Sequence, residues 1–289
     1  MEYVQIQPRI GSFQGCSPSG FHEVFYTEWG DPAAERVAVC CHGLTRNGRD
    51  FDSLAARLAR GSIRVICPDV AGRGRSEWLR DPANYGYPQY MSDMTALIAR
   101  LGVPQVDWIG TSMGGLIGMF LAAAPNAPIR SLVVNDVGPV LPRAALLRIA
   151  EYVGRDESFA DLASLEAYLR EVHASFGPLT DAQWGHLARH GHRYKADGSY
   201  GLAYDPGIVV NVRAAIRDWD FWASWDGITC PALVLHGAQS DLLSAEAAEA
   251  MSKRGPKADL AHFEGIGHAP ALMSKDQIEI VAEWLARQL

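Results

Sequence analysis

Short apolar runs, each closed by a turn residue, recur along the 289-residue chain. Val37 to Cys41 leads into His42-Gly43, Ile63 to Cys67 into Pro68-Asp69, and Val106 to Ile109 into Gly110. Ser131 to Val134 leads into Asn135-Asp136, Ala232 to Leu235 into His236-Gly237, and Leu260 to Phe263 into Glu264-Gly265. None of these runs alternates cleanly between apolar and polar positions. Strands buried on both faces of a parallel sheet have this pattern. An earlier run, Glu23 to Trp29, alternates more and predicts an antiparallel hairpin with Val4 to Ile10.

Helical spacing fills the gaps between these runs, at Asp52 to Arg60, Tyr90 to Leu101, Met113 to Ala124 and Ala245 to Lys253. Gln277 to Gln288 closes the chain with Ile278, Val281 and Leu285 on one face. Strand-helix alternation of this kind predicts a doubly wound, mostly parallel sheet with helices on both sides. The alternation stops between Gly138 and Trp225, where apolar stripes such as Leu146, Ile149, Ala150 and Val153 imply helix and loop with no strong strand. The expected organisation is a core in two parts, 1–138 and 224–289, with a helical insertion at 139–223.

A net charge of −7 gives no basic face for nucleic acid or an anionic membrane. The five cysteines are scattered, odd in number and lack a CxxC pair, which argues against a disulfide framework and a zinc site. Cys40, Cys41, Cys67 and Cys230 sit in or beside strand-like runs and are expected to be small core residues. Met1 to Ile10 lacks a basic stretch followed by an apolar one, so the expected compartment is the cytoplasm. Between Asp107 and Arg130 no residue is charged, and Gly114 and Gly118 form a GxxxG pattern. The glycines and prolines within that stretch fit a buried strand, a tight turn and a core helix better than a membrane span.

The chemistry concentrates at the strand ends. Gly110-Thr111-Ser112-Met113-Gly114 fits G-x-S-x-G, preceded by a strand and followed by a helix. A side chain on such a turn projects from the sheet edge, and the helix N-terminus behind it favours developing negative charge. A serine hydroxyl needs a base, and His268, in the loop after the last strand, is the candidate. The histidine needs a carboxylate to orient it. Asp241, after the strand Ala232 to Leu235, gives the chain order Ser, Asp, His and is preferred over Asp136, which ends the preceding strand. Asp69 is assigned a turn-forming role. The backbone amides of Met113 and Leu44 are the candidate oxyanion donors, with Gly43 allowing close approach and His42 organising the loop.

On these residues the chain resembles the α/β-hydrolase superfamily of esterases and related enzymes. The resemblance rests on His42-Gly43, on Asp69-Val70-Ala71-Gly72-Arg73-Gly74-Arg75-Ser76, on the Ser112 turn, on Asp241 and on Gly267-His268. It implies an α/β-hydrolase fold, with the insertion corresponding to the variable cap that shapes the substrate pocket. The expected activity is cleavage of a small carboxylic ester through an acyl-enzyme. The same three residues would also serve carbon–carbon bond hydrolysis of a ring-cleavage product or thioester hydrolysis. A ligand-binding protein that kept the fold is the reading from another class. The expected partner is a small-molecule ester or related acyl substrate, and a homo-oligomer is compatible with the sequence.

Other clusters are assigned plainer roles. His186, His190 and His192 lie close together, but without a nearby cysteine or glutamate they are taken as a solvated or pocket-lining group, with no metal expected. Trp184, Trp219, Trp222 and Trp225 fit a pocket lining or core packing equally. Arg73 and Arg75, within a tight glycine turn, are given surface or local structural roles. No phosphate or dinucleotide loop appears, so no cofactor is implied.

Overall fold

The computed structural model describes residues 7–288. An eight-stranded sheet forms its centre. The strands are β1 (Arg9–Ser17), β2 (Gly20–Trp29), β3 (Val37–Cys41), β4 (Arg64–Pro68), β5 (Val106–Thr111), β6 (Ile129–Asn135), β11 (Ala232–Gly237) and β12 (Asp259–Phe263), in the spatial order β1-β2-β4-β3-β5-β6-β11-β12. The β1–β2 and β2–β4 pairs are antiparallel and the remaining pairs are parallel. The connecting helices are α1 (Asp52–Arg60), α2 (Tyr87–Arg100), α3 (Met113–Ala122), α9 (Ala245–Met251) and α10 (Lys275–Ala286). This is the α/β-hydrolase architecture.

The uninterrupted apolar runs follow from double coverage. Neighbouring residues of β3 enter opposite layers. Val39 and Cys41 join the layer under α2 and α3, whereas Ala38 and Cys40 meet Leu54 and Leu58 of α1 and Val281 and Leu285 of α10. Both faces are dry, so no polar alternation survives. Cys40, Cys41 and Cys67 are buried as expected, while Cys230 is only partly covered.

The uncharged stretch from Asp107 to Arg130 is divided among β5, the ten-residue α3 and the start of β6. Among the described residues, no helix is long and apolar enough to cross a membrane.

The partner of β2 differs from expectation. It is Arg9–Ser17, in register Ser17 to Gly20 across a two-residue turn, rather than Val4 to Ile10. Residues 4–6 of that expected strand lie outside the described residues. The observed strand, RIGSFQGCS, carries two glycines and buries only Phe13, Gly15 and Ser17. Its inward face therefore offers little apolar signal.

Between β6 and β11 the chain forms β7 (Val140–Leu141), α4 (Arg143–Tyr152), α5 (Leu162–Val172), α6 (Asp181–His190), β8 (His192–Tyr194), β9 (Tyr200–Leu202), α7 (Val209–Ala214), β10 (Trp219–Asp220) and α8 (Trp222–Asp226). β7 pairs with β10 at the point where the segment leaves and rejoins the core, and β8 pairs with β9. These strands of two or three residues are too short for a period to show, so helix and loop alone are expected there. Leu165, Leu169, Trp184, Leu187 and Met273 form a separate small core for this layer. Capping boxes at Asp161 and Thr180 start α5 and α6.

Candidate active site

Ser112 links β5 to α3 with φ 51° and ψ −113°, a sparsely populated left-handed conformation for a residue with a Cβ. The flanking glycines are required by contact. A Cβ on Gly110 would lie 2.2 Å from the Gly114 carbonyl oxygen, and one on Gly114 would lie 2.0 Å from the Cys41 carbonyl oxygen. The strand end thus touches the helix behind it, and the serine is pushed outward. The Ser112 amide donates to the Asn135 carbonyl at 2.9 Å, which fixes the turn against β6.

His268 lies 2.9 Å from the Ser112 Oγ through its Nε2. Its Nδ1 lies 2.8 Å from Asp136 Oδ2. The structure therefore brings Ser112, His268 and Asp136 into one hydrogen-bonded line. Asp241, the preferred carboxylate of the sequence reading, does not join them. It takes a bidentate ion pair with Arg148, at 2.9 Å for Nη2 to Oδ1, with its side chain 47% exposed. The reason is local. Gly237-Ala238-Gln239-Ser240 turns away from the sheet edge after β11, with Ser240 donating its amide to Gly237 and accepting from Leu242 and Leu243. Asp136 instead follows β6 at once with φ 55°, a conformation aspartate tolerates.

Asp136 is fully buried, and its other oxygen accepts the Gly237 amide at 2.8 Å. Its own amide donates to the Leu235 carbonyl at 2.8 Å. Asn135 beside it donates from Nδ2 to the Pro270 carbonyl at 2.8 Å and to Thr111 Oγ1 at 3.0 Å. The end of β6 therefore holds the serine turn, the histidine loop and β11. The histidine loop is secured from the far side as well. Ser175 donates its hydroxyl to the His268 carbonyl, and the Gly267 amide donates to the Ser175 carbonyl at 2.8 Å.

The loop after β3 passes the serine closely, since a Cβ on Gly43 would sit 3.8 Å from the Ser112 Cβ. His42 organises this loop as expected. Its Nδ1 donates to the Gly43 carbonyl at 2.7 Å, and its Nε2 accepts the Val70 amide at 2.9 Å. Burial lowers its pKa to about 4, so the ring is neutral and that tautomer persists. Asp69 has the turn role assigned to it, accepting the Gly48 and Arg75 amides at 2.8 and 2.9 Å, with burial raising its pKa to about 6. The Met113 amide is the first of its helix. Among the described residues neither it nor the Leu44 amide has a hydrogen-bond acceptor.

Two cavities meet at Ser112. One, of about 540 Å³, is apolar and aromatic, lined among others by Leu44, Met113, Phe120, Leu146, Trp219 and Phe221. The other, of about 70 Å³, is mixed in character: Ile149, Val172 and Phe176 line it together with His173, Ser175, Arg46, which pairs with Asp50, and Arg148, which pairs with Asp241. Burial lowers the His173 pKa to about 3, so this ring is also neutral. The 139–223 segment is bonded to the loop after β3. Asn47 donates to the His190 carbonyl at 2.8 Å, and His186 donates to the Arg49 carbonyl at 2.9 Å.

Asp52 of α1 approaches His186 and His190, so that three ligand atoms lie within 4.8 Å of one another. The Arg49 guanidinium already engages this group, binding Asp52 at 2.9 Å and His190 Nδ1 at 3.3 Å. Trp225 is fully buried and Trp184 nearly so, both in packing roles, whereas Trp219 lines the apolar cavity. Of the surface or local structural roles expected of this pair, exposed Arg75 has the first and wholly buried Arg73, bonded to the Ala71 carbonyl at 2.8 Å, the second.

Residues 38–283 match the model of the alpha/beta hydrolase family. The chain is 48% identical over 286 residues to the 3-hydroxybutyrate-oligomer hydrolase of Cupriavidus necator, covering 96% of this chain and 97% of that one. It is 28% identical over 251 residues to an esterase of Mycobacterium tuberculosis, with 82% and 76% covered. Among solved structures, an alpha/beta hydrolase from Novosphingobium aromaticivorans superposes with a TM-score of 0.87 at 35% identity, covering 98% of this chain and 99% of that one.

Proposed function

The chain belongs to the α/β hydrolase family and is a carboxylic-ester hydrolase, and we propose that Ser112 is its nucleophile, His268 its general base and Asp136 the carboxylate that orients the base. The observation that carries this assignment is the unbroken line from Asp136 Oδ2 to His268 Nδ1 at 2.8 Å and from His268 Nε2 to Ser112 Oγ at 2.9 Å. Asp136 holds the proton on Nδ1, which leaves Nε2 free to take the serine proton as Oγ attacks the ester carbonyl. The amides of Leu44 and Met113 then receive the oxyanion. His268 returns the proton to the leaving alcohol. A water, activated by the same imidazole, cleaves the acyl-serine ester, and Ser112 recovers its proton.

The substrate class we assign is short oligoesters of a 3-hydroxy acid. Its basis is the extensive similarity to the hydrolase of Cupriavidus necator that bears that name, together with the two cavities at Ser112. The apolar cavity suits a methylated acyl chain. The smaller, mixed one, with Ser175 and the neutral His173 among apolar side chains, suits a hydroxyl terminus. In this reading the 139–223 segment serves as the cap over both cavities. Free thiols at Cys40, Cys41 and Cys67 suit a reducing compartment, and we assign the protein to the cytoplasm.

Ser112→Ala is expected to lower turnover of an activated short-chain ester by about 10⁴-fold or more with the thermal unfolding midpoint preserved. Near-normal turnover in that variant sinks the assignment. Chromatography of 3-hydroxybutyrate dimer and trimer digests tests the substrate class: release of monomer supports it, and intact oligomers under conditions where unrelated activated esters are hydrolysed reject it.

A further inference from the structure

Arg73 lies in the turn after β4, between Gly72 and Gly74, both at positive φ. Its side chain is completely buried. Burying a guanidinium is costly unless its donors and charge are satisfied. Among the described residues Arg73 has no ion pair with a carboxylate. Its Nη1 donates to the Ala71 carbonyl at 2.8 Å and to the Tyr90 hydroxyl at 2.9 Å, and its Nε donates to the Leu44 carbonyl at 2.9 Å. Its Nη2 lies 3.7 Å from the Met113 sulfur. The guanidinium carbon sits 5.6 Å from the Tyr85 ring centre and 5.0 Å from that of Tyr90. Counter-charge comes one residue away, where the Tyr85 hydroxyl donates to Asp205 at 2.6 Å.

The two residues that Arg73 reaches toward the active site, Leu44 and Met113, are the two whose amides face the developing oxyanion. A cation with four structural contacts and no carboxylate, placed against both, has a use that a turn residue does not need. We propose that Arg73 is the positioning residue of the oxyanion pocket: its planar guanidinium, held through Nη1 by Ala71 and Tyr90, fixes the Leu44 carbonyl from behind through Nε, and its charge favours negative charge on the side of Leu44 and Met113 that faces Ser112. The inference rests on the assignment of Ser112 as nucleophile. It requires no contact with substrate, so its effect falls on the transition state and spares ground-state binding.

Two variants separate the parts of the guanidinium. Arg73→Lys keeps the charge and loses the planar guanidinium, and Arg73→Gln keeps a donor and loses the charge. The expected result is a fall in kcat of about tenfold for Lys and about a hundredfold for Gln, with KM within about twofold of the parent. Affinity for a boronic acid, which forms a tetrahedral adduct on Ser112, should fall in parallel. Arg75→Gln, an exposed neighbour, should match the parent in all three readouts. The inference is overturned by a Gln variant that folds and keeps its kcat, by a loss confined to KM, or by unchanged boronate affinity. Should Arg73→Gln fail to unfold cooperatively on heating, the Lys variant alone decides, and a parental kcat there overturns the inference. Undiminished turnover in Ser112→Ala would instead strike the parent assignment, whatever Arg73 does.

Discussion

Asp136 and Asp241 follow adjacent parallel strands, β6 and β11, yet they end in opposite settings. Asp136 is fully buried, accepts a backbone amide and meets His268. Asp241 is half exposed and pairs with Arg148 at the rim. Both have the residue type and the chain order that fit an orienting carboxylate. The difference is distance along the chain from the strand end. One residue at positive φ after β6 keeps Asp136 at the sheet edge, whereas three turn residues after β11, Ala238 to Ser240, carry Asp241 outward. A carboxylate is thus recruited by the strand that places it, and residue order alone does not choose between two strands.

The sharpest way to break this comparison is to neutralise each acid in turn. Asp136→Asn should lower kcat by about 10⁴-fold, because an amide cannot hold His268 in the productive tautomer. Asp241→Asn, in the same ester assay, should stay within about threefold of the parent. The opposite outcome would return the orienting role to the residue that sequence order favoured.

A smaller effect contrasts the buried side of the site with its rim. His42 and His173 are neutral and buried, with pKa values lowered to about 4 and about 3 from an ordinary value near 6.5. Their contribution to stability is complete above pH 6.5 and is lost as pH falls toward 4, since the unfolded chain takes up those protons first. Asp69, raised to about 6, works the other way, its contribution being complete below about pH 4 and declining as pH rises through 6. Two histidines outweigh one carboxylate. Urea unfolding at pH 4.5 should show stability lower than at pH 7.5 by on the order of 2 kcal/mol. Equal or greater stability at pH 4.5 would mean that these rings are not held neutral.

The smallest effect belongs to the rim. Arg148→Met breaks the ion pair with Asp241, but both side chains are nearly half exposed, so stability should change by less than about 1 kcal/mol. A larger loss would show that the rim pair supports the site as the buried acid does.

These contrasts explain what the sequence made legible. The strands from Val37–Cys41 onward were readable because both sheet faces are dry and nothing interrupts their apolar runs. The Ser112 turn was readable because its glycines answer to contacts under 2.5 Å that only hydrogen satisfies. His268 was readable by its place after the last strand. Arg73 was not, because a guanidinium in a glycine turn looks the same whether it faces water or folds back onto Leu44. The first strand was hidden by its two glycines and by an inward face with Phe13 as its one large apolar residue, and β7 to β10 by their brevity. The approach of Asp52 to His186 and His190 depends on α1 meeting α6, a contact over more than a hundred residues that no local pattern encodes.

The end of β6 has one consequence for motion. Asn135 and Asp136 hold the serine turn through a carbonyl and a side-chain amide, the histidine loop through a carboxylate and that same amide, and β11 through two further bonds. Thermal displacement of this strand end therefore carries nucleophile, base and carboxylate along in common. Their absolute positions can fluctuate while the gaps that proton transfer depends on stay nearly constant.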